Sequence, residues 1–335
     1  MSAGKILVVR GGAIGDFILT LPVFAALREQ FPDAYLEVLG YEHIASLAKA
    51  GGLVDAVRSI EAGPLAGYFA RNGHLDESLQ EFFAGFSIII SYLYDPDGVF
   101  QANVARCSKA QFIAGPHRPN EAARLHATEV LLKPLERLAI FAAGSTPRLK
   151  IGSGKGASTI GDRVCVAAHP GSGSERKNWP EAKWSALLSK LLAGENLDLL
   201  LVGGEAEEGK VARLAADLPT ERVQLAENLP LLDLATRLSC CTGFVGHDSG
   251  ITHLAAALGS PVIALWGESS EVVWRPKGPK VVLLKEEPGV SALSVERVNR
   301  GPVFGSSRLR VSYTSTYHDG LIYYESSFTF VLRCA

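Results

Sequence analysis

Residues 5–10 read KILVVR, a continuous run of aliphatic and β-branched side chains that stops at a pair of glycines. A run of this kind does not suit a half-exposed antiparallel sheet, where apolar and polar residues alternate. It needs cover on both faces, which is the setting of a buried parallel strand. After the glycines, apolar residues recur at helical spacing from Phe17 to Phe31 (Phe17, Leu21, Phe24, Leu27, Phe31), with Pro22 near a first turn. Residues 35–39 (YLEVL) read as the next strand. Strand, glycine loop, helix and strand make one βαβ unit, which specifies a parallel sheet with helices on both faces.

The same grammar continues. Weaker strands are expected near Ala56–Ile60 and Ser87–Tyr92, and a helix over Glu121–Ala142. Residues 144–162 (GSTPRLKIGSGKGASTIGD) lose the apolar pattern and read as a linker. A second series begins at Val164–Ala168. It continues with a helix at Trp184–Ala193, a strand at Leu197–Val202, a helix at Glu205–Leu218 and a strand at Val223–Leu225. A helix at Leu231–Leu238, a strand at Gly243–Val245, a helix at Ile251–Leu258 and a strand at Val262–Trp266 complete it. The fold class is therefore α/β, with two doubly wound domains expected at 1–150 and 163–300. Two such halves predict a cleft between them, with ligands at the carboxyl ends of the strands. Residues 301–335 form an atypical tail in which Asp319-Gly320 reads as the type I′ turn of a β-hairpin.

Composition narrows the function classes. A length of 335 residues suits two cores, and a net charge of -2 argues against nucleic acid as a main partner. The apolar run at 5–10 is far too short for a secretory leader, and no apolar stretch approaches a membrane span. A lipid substrate would have to be met from the membrane surface. The five cysteines include no CxxC pair and suggest free thiols in a reducing cytoplasm.

Four segments carry residues suited to chemistry. The first is Arg10-Gly11-Gly12-Ala13-Ile14-Gly15-Asp16. Arg10 stands where a dinucleotide fingerprint needs its first glycine, which disfavours a nicotinamide-dependent oxidoreductase. Asp16 at the helix start reads either as a helix cap or as a general base facing the cleft, two duties that compete for the same carboxylate. The second, His169 to Pro180, combines Gly171, Ser172, Gly173 and Ser174 with Arg176 and Lys177, as a diphosphate requires. The third, Val202-Gly203-Gly204-Glu205-Ala206-Glu207, offers acids after a strand, either for ribose hydroxyls or for the dipole of a helix. The fourth runs from Gly246 to Gly259. Asp248 or Ser249 would cap a helix there, leaving Gly250, Ile251 and Thr252 to present N–H groups to a phosphate. His247 and His253 lie six residues apart, which is not a helical zinc spacing, so no metal site is expected.

Taken in order, GGAIGDFILTLP, HPGSGSERKNWP, LVGGEAEEG and VGHDSGITHLAAALGSPVIALWG resemble the motifs of the ADP-heptose:lipopolysaccharide heptosyltransferase family, glycosyltransferase family nine. The resemblance covers residues 4–285 and extends to SALSVERV at 291–298. It implies a GT-B fold, two Rossmann-like domains facing a central cleft, with acceptor binding in the first half and nucleotide binding in the second. It implies an inverting, metal-independent transfer with no cofactor. Asp16 matches the family's catalytic base, Lys177 its diphosphate-binding lysine and Glu207 its ribose contact. Asp248, Gly250, Thr252 and His253 match its donor-binding helix motif. The implied partners are a nucleotide-diphosphate sugar, ADP-heptose above all, and a lipid-linked or glycan acceptor reached at the inner face of the cytoplasmic membrane. Arg58, Arg118 and Arg124 are candidates for meeting an anionic acceptor, though each reads more readily as a solvated surface charge. The alternatives are a transferase of the same fold with another donor or acceptor, and a non-catalytic binder of sugar nucleotides.

Overall fold

The computed structural model describes residues 4–152, 163–194 and 196–301, together with the backbone of 314–318 and 321–325. A first sheet holds β1 (Lys5–Arg10), β2 (Tyr35–Gly40), β3 (Ala56–Ser59), β4 (Ile88–Ser91) and β5 (Gln111–Ala114) in the order β3-β2-β1-β4-β5. A second holds β6 (Val164–His169), β7 (Leu197–Gly203), β8 (Val223–Glu227), β9 (Gly243–His247), β10 (Val262–Trp266) and β11 (Val281–Lys285) in the order β11-β10-β9-β6-β7-β8. All pairings in both sheets are parallel. Each sheet starts at an inner strand, grows to one edge, then returns to build the other side. The strand order therefore reverses between β1 and β4 and between β6 and β9, and the loops above those points diverge to leave a crevice.

The apolar run that opens the chain behaves as a doubly covered strand. Ile6 and Val8 pack into one buried cluster, Leu7 and Val9 into another on the opposite face. In the second sheet β7 does the same, with Leu200 and Val202 on one side and Leu199 and Leu201 on the other. The cluster that holds Ile6 and Val8 is the one that holds Leu200 and Val202. Between the sheets lies a shared helical layer to which both lobes contribute: Phe17 and Ile18 from the first, Leu234, Leu254 and Ala255 from the second. The two lobes thus share one apolar floor beneath the crevice.

Several local expectations need correction. The helix expected over 17–31 is two helices, Ile14–Ile18 and Leu21–Gln30. Pro22 has no N–H to give the Ile18 carbonyl, so the ladder breaks around Thr20, whose hydroxyl donates to Asp16 O at 2.8 Å. The long helix over 121–142 reduces to Ala127–Leu132 flanked by short 3₁₀ turns, because Pro134 interrupts it and Arg124 and Ala139 adopt left-handed backbone at φ 51 and 58. Gly209, at φ 70, likewise divides 205–218 into a 3₁₀ turn and the helix Lys210–Ala215. Sequence reading missed β11 altogether. The tail does contain an antiparallel pair, β12 (Thr314–His318) with β13 (Leu321–Glu325), in the register expected of a hairpin. Its turn at Asp319-Gly320, and residues 153–162 of the expected linker, lie outside the described residues. No helix among the described residues is long and apolar enough to cross a membrane.

Candidate active site

Loops from the carboxyl ends of both sheets meet over the shared floor and enclose two adjoining cavities. The larger, about 840 Å³, takes its first-lobe wall from the loops after β1, β3, β4 and β5, and its second-lobe wall from residues that include Lys177, Asp248, Ser269 and Trp274. The smaller, about 670 Å³, lies between Ile14, His43 and Ile44 on one side and Glu207, Pro230 and Leu231 on the other. Gly15, Ser249 and Gly250 border both. Each volume falls in the range of small-molecule sites, about 300–1,000 Å³.

Asp16 lies in the larger cavity, at the start of the helix Ile14–Ile18. Its Oδ2 accepts from the Ala13 N–H at 3.2 Å, and its Oδ1 stands 3.7 Å from Arg10 Nη2. The carboxylate caps the helix with Oδ2 while Oδ1 faces the Arg10 guanidinium, and the residue as a whole borders the cavity. Gly12, at φ 102, folds the loop tightly over it: a Cβ there would stand 3.1 Å from Asp16 Oδ2. Behind the carboxylate sits Arg10, only 4% exposed. It donates to the His117 carbonyl at 2.9 Å and to the Asp16 carbonyl at 3.1 Å. Burial lowers its pKa from the usual guanidinium value, and the neighbouring Asp16 opposes that shift.

Across the cavity, Lys177 Nζ donates to Asp248 Oδ2 at 2.6 Å, and Ser269 Oγ donates to the same oxygen at 2.6 Å. Asp248 therefore holds the lysine in place. Ser249 caps the helix Gly250–Ala257, its Oγ accepting from the Thr252 N–H at 3.4 Å. Glu207 is buried against Gly171, where a Cβ would stand 1.7 Å from Glu207 Oε1. Its Oε2 accepts from the Gly204 N–H at 3.0 Å and lies 3.6 Å from His169 Nε2. Burial pushes this carboxyl up, but His169 and the Gly204 N–H outweigh it and leave its pKa below the ordinary value.

The structure sorts the expected site residues. Gly11, Gly12, Asp16, Lys177, Asp248 and His253 line the larger cavity, Glu207 the smaller, and Gly15, Ser172, Ser249 and Gly250 both. Arg176 is exposed and lines neither. Thr252 is buried, borders neither cavity, and gives its hydroxyl to the His247 carbonyl. His253 is buried where the two helices cross, and burial pushes its imidazole down to about 4, so at neutral pH it is uncharged. Of the three candidate arginines, Arg118 lines the cleft. Arg58 instead pairs with buried Glu37 at 3.5 Å and lies over the Phe82 ring. Arg124 is exposed and lines neither cavity. Among the described residues, no group of three or more His, Cys, Asp or Glu side chains is placed to hold a metal ion.

Residues 143–298 match the profile of glycosyltransferase family 9 (heptosyltransferase). Lipopolysaccharide heptosyltransferase 2 of Escherichia coli K12 is 26% identical over 317 residues, spanning 84% of this chain and 88% of its own. Over residues 143–298 the chain is thus similar to glycosyltransferase family 9. The crystal structure of a family 9 glycosyl transferase from Veillonella parvula superposes with a TM-score of 0.72 at 18% identity, covering 90% of this chain and 96% of its own. E. coli heptosyltransferase WaaC with ADP gives 0.69 at 19% identity, covering 88% and 98%. These likenesses make the fold GT-B, and the profile match together with the heptosyltransferase relatives makes the chain a glycosyltransferase.

Sequence reading missed several residues of the transferase's cavity. Arg10 was visible only as a broken fingerprint, although a charge closing an apolar strand is itself a signal. His117, Ser269 and Trp274 had no local signal, because they reach the cavity from loops far apart in the chain.

Proposed function

We propose that this transferase moves a heptose or related sugar from an ADP-sugar to an acceptor of the lipopolysaccharide-core type, with inversion and without a metal. The acceptor is assigned to the first lobe, residues 1–150, and the nucleotide to the second, residues 163–300. The observation that carries the reading is the opposition across one cavity of the Asp16 carboxylate and the Lys177 ammonium at the rim of a helix N-terminus.

In this reading the nucleoside occupies the smaller cavity. Its ring lies among Ile44, Pro230, Leu231 and Leu234, and its ribose near Glu207. The diphosphate lies at the border, where Lys177 and the N–H groups at the start of Gly250–Ala257 supply positive charge. The sugar then projects into the larger cavity toward Asp16. Asp16 takes the proton of the acceptor hydroxyl while that oxygen bonds to the anomeric carbon. The bond from the anomeric carbon to the phosphate oxygen breaks, and its electron pair leaves with ADP. Charge growing on the leaving phosphate is met by fixed groups that need no rearrangement, the most effective form of electrostatic assistance. Support also comes from relatives named for lipopolysaccharide heptose transfer and from a similar structure holding ADP.

The test is turnover with ADP-heptose against UDP- and GDP-sugars, each with chelator present. Transfer from ADP-heptose that survives the chelator is expected. Loss of transfer that Mg²⁺ restores would reject the metal-free reaction, and preference for another nucleotide would reject the donor.

A further inference from the structure

We propose that the larger cavity receives its acceptor as an uncharged sugar ring stacked on an aromatic platform made by Tyr94 and Phe69. The proposal rests on the transferase reading above and names the acceptor class for the same site.

An exposed aromatic ring that lines a polar cavity offers a flat apolar face for a ligand to cover. Tyr94 is 71% exposed and Phe69 47%, and both line the cavity that holds Asp16. Each ring is braced by a neighbour. Phe69 stacks on buried Phe100 with centroids 5.3 Å apart and planes at 21°. Tyr94 packs edge-on against the His117 ring at 4.6 Å. A braced ring loses little conformational freedom when a flat apolar surface covers it, and the C–H face of a pyranose is such a surface. The platform is also coupled to the proposed base. The arginine beside Asp16 is the one that holds the His117 carbonyl, at 2.9 Å.

The charges of this wall do not suit an anionic acceptor. Its acids are Asp16, Glu61 and Glu121, and its guanidinium groups are those of Arg10 and Arg118. Arg10 is buried and donates to two backbone carbonyls. Arg118 Nη2 stands 3.5 Å from Glu121 Oε1 and its guanidinium lies over the Trp274 ring at 5.2 Å. Trp274 in turn donates its indole N–H to Glu121 at 2.9 Å. Among the described residues of this wall, no guanidinium is left without an acidic or carbonyl partner. Carboxylates flanking aromatic rings instead offer acceptors for sugar hydroxyls.

The experiment uses the full chain saturated with ADP, titrated with a neutral methyl heptopyranoside and with a methyl hexuronoside carrying a carboxylate. Binding is read by saturation-transfer NMR and ADP affinity by calorimetry. The neutral glycoside should bind about tenfold more tightly than the carboxylated one, and Tyr94→Ala should weaken it about tenfold, while Tyr94→Phe restores it. ADP affinity should stay within about twofold in both variants, which confirms their folding. Equal or tighter binding of the hexuronoside, an unchanged neutral affinity in both Tyr94→Ala and Phe69→Ala, or no saturation transfer to the neutral glycoside would overturn the platform. Turnover with ADP-heptose would survive each of those failures. If the wild-type chain does not bind ADP, the transferase reading falls, and the platform with it.

Discussion

Gly15 and Gly250 meet backbone to backbone where the two lobes cross, and the contact is lopsided. A side-chain carbon on Gly250 would stand 2.8 Å from Gly15 N, whereas one on Gly15 would stand 3.5 Å from Gly250 Cα. The first is a clash with fixed backbone, the second an ordinary van der Waals contact. Gly250→Ala should therefore push the two helix starts apart, costing about 1–3 kcal/mol of stability and at least about tenfold in turnover. Gly15→Ala should stay within about 1 kcal/mol, since alanine is also the better helix former. Urea midpoints and initial rates of the two variants check this. Equal behaviour would mean that the lobes adjust freely at this crossing.

The carboxylate of Asp16 can be separated into its two duties. Asp16→Asn keeps an oxygen able to accept from the Ala13 N–H, at 3.2 Å in the native chain, but removes the base. Turnover should fall by about 10²–10⁴ with stability nearly unchanged. Asp16→Ala should lose the same activity and, in addition, about 1 kcal/mol for the missing cap. ADP affinity by calorimetry should survive in both. A parallel loss of ADP affinity would assign Asp16 to binding.

How much of this was legible depended on whether a residue's role is written in its own neighbourhood. The buried strand at 5–10, the glycine loop after it and the Ser249 cap are local patterns, and the structure places elements there. The break at Thr20 was legible in principle. Pro22 was visible, but its effect depended on whether the helix began before or after it. The pairing of Lys177 with Asp248 was not legible, because it joins segments 71 residues apart that meet only when β6 and β9 become neighbours. Trp274 and Glu121, 153 residues apart, meet for the same reason, through the approach of the two lobes.

That pairing makes a prediction about additivity. Lys177→Ala should weaken ADP binding by about tenfold to a hundredfold, the worth of one charge-assisted hydrogen bond. Asp248→Asn should weaken it less, since it loosens the lysine without removing it. If Asp248 acts through Lys177, the double variant should be no worse than Lys177→Ala alone. Calorimetric titration with ADP reads all three. Additive losses would show that Asp248 meets the ligand by itself.

Acid should weaken the fold through the buried imidazoles of His247, His253 and His126. His247 accepts from the Trp179 N–H at 2.8 Å on Nε2, which leaves Nδ1–H to donate to the Gly171 carbonyl at 3.2 Å, a pattern that requires the neutral ring. Burial pushes its pKa down from 6.5 to about 3, and that of His253 to about 4. The unfolded chain therefore binds more protons than the folded one at mildly acidic pH. The stabilisation is complete above the unfolded value of 6.5 and is lost as pH falls toward those depressed values. Between pH 7 and pH 5 the His247 and His253 imidazoles should each cost about 2 kcal/mol. Denaturation midpoints measured across that range check the slope. His247→Gln, which retains an acceptor and a donor without a titrating ring, should reduce it by less than half, because His253 and His126 still titrate. A flat profile in the native chain, or the full slope in the variant, would place the acid sensitivity elsewhere.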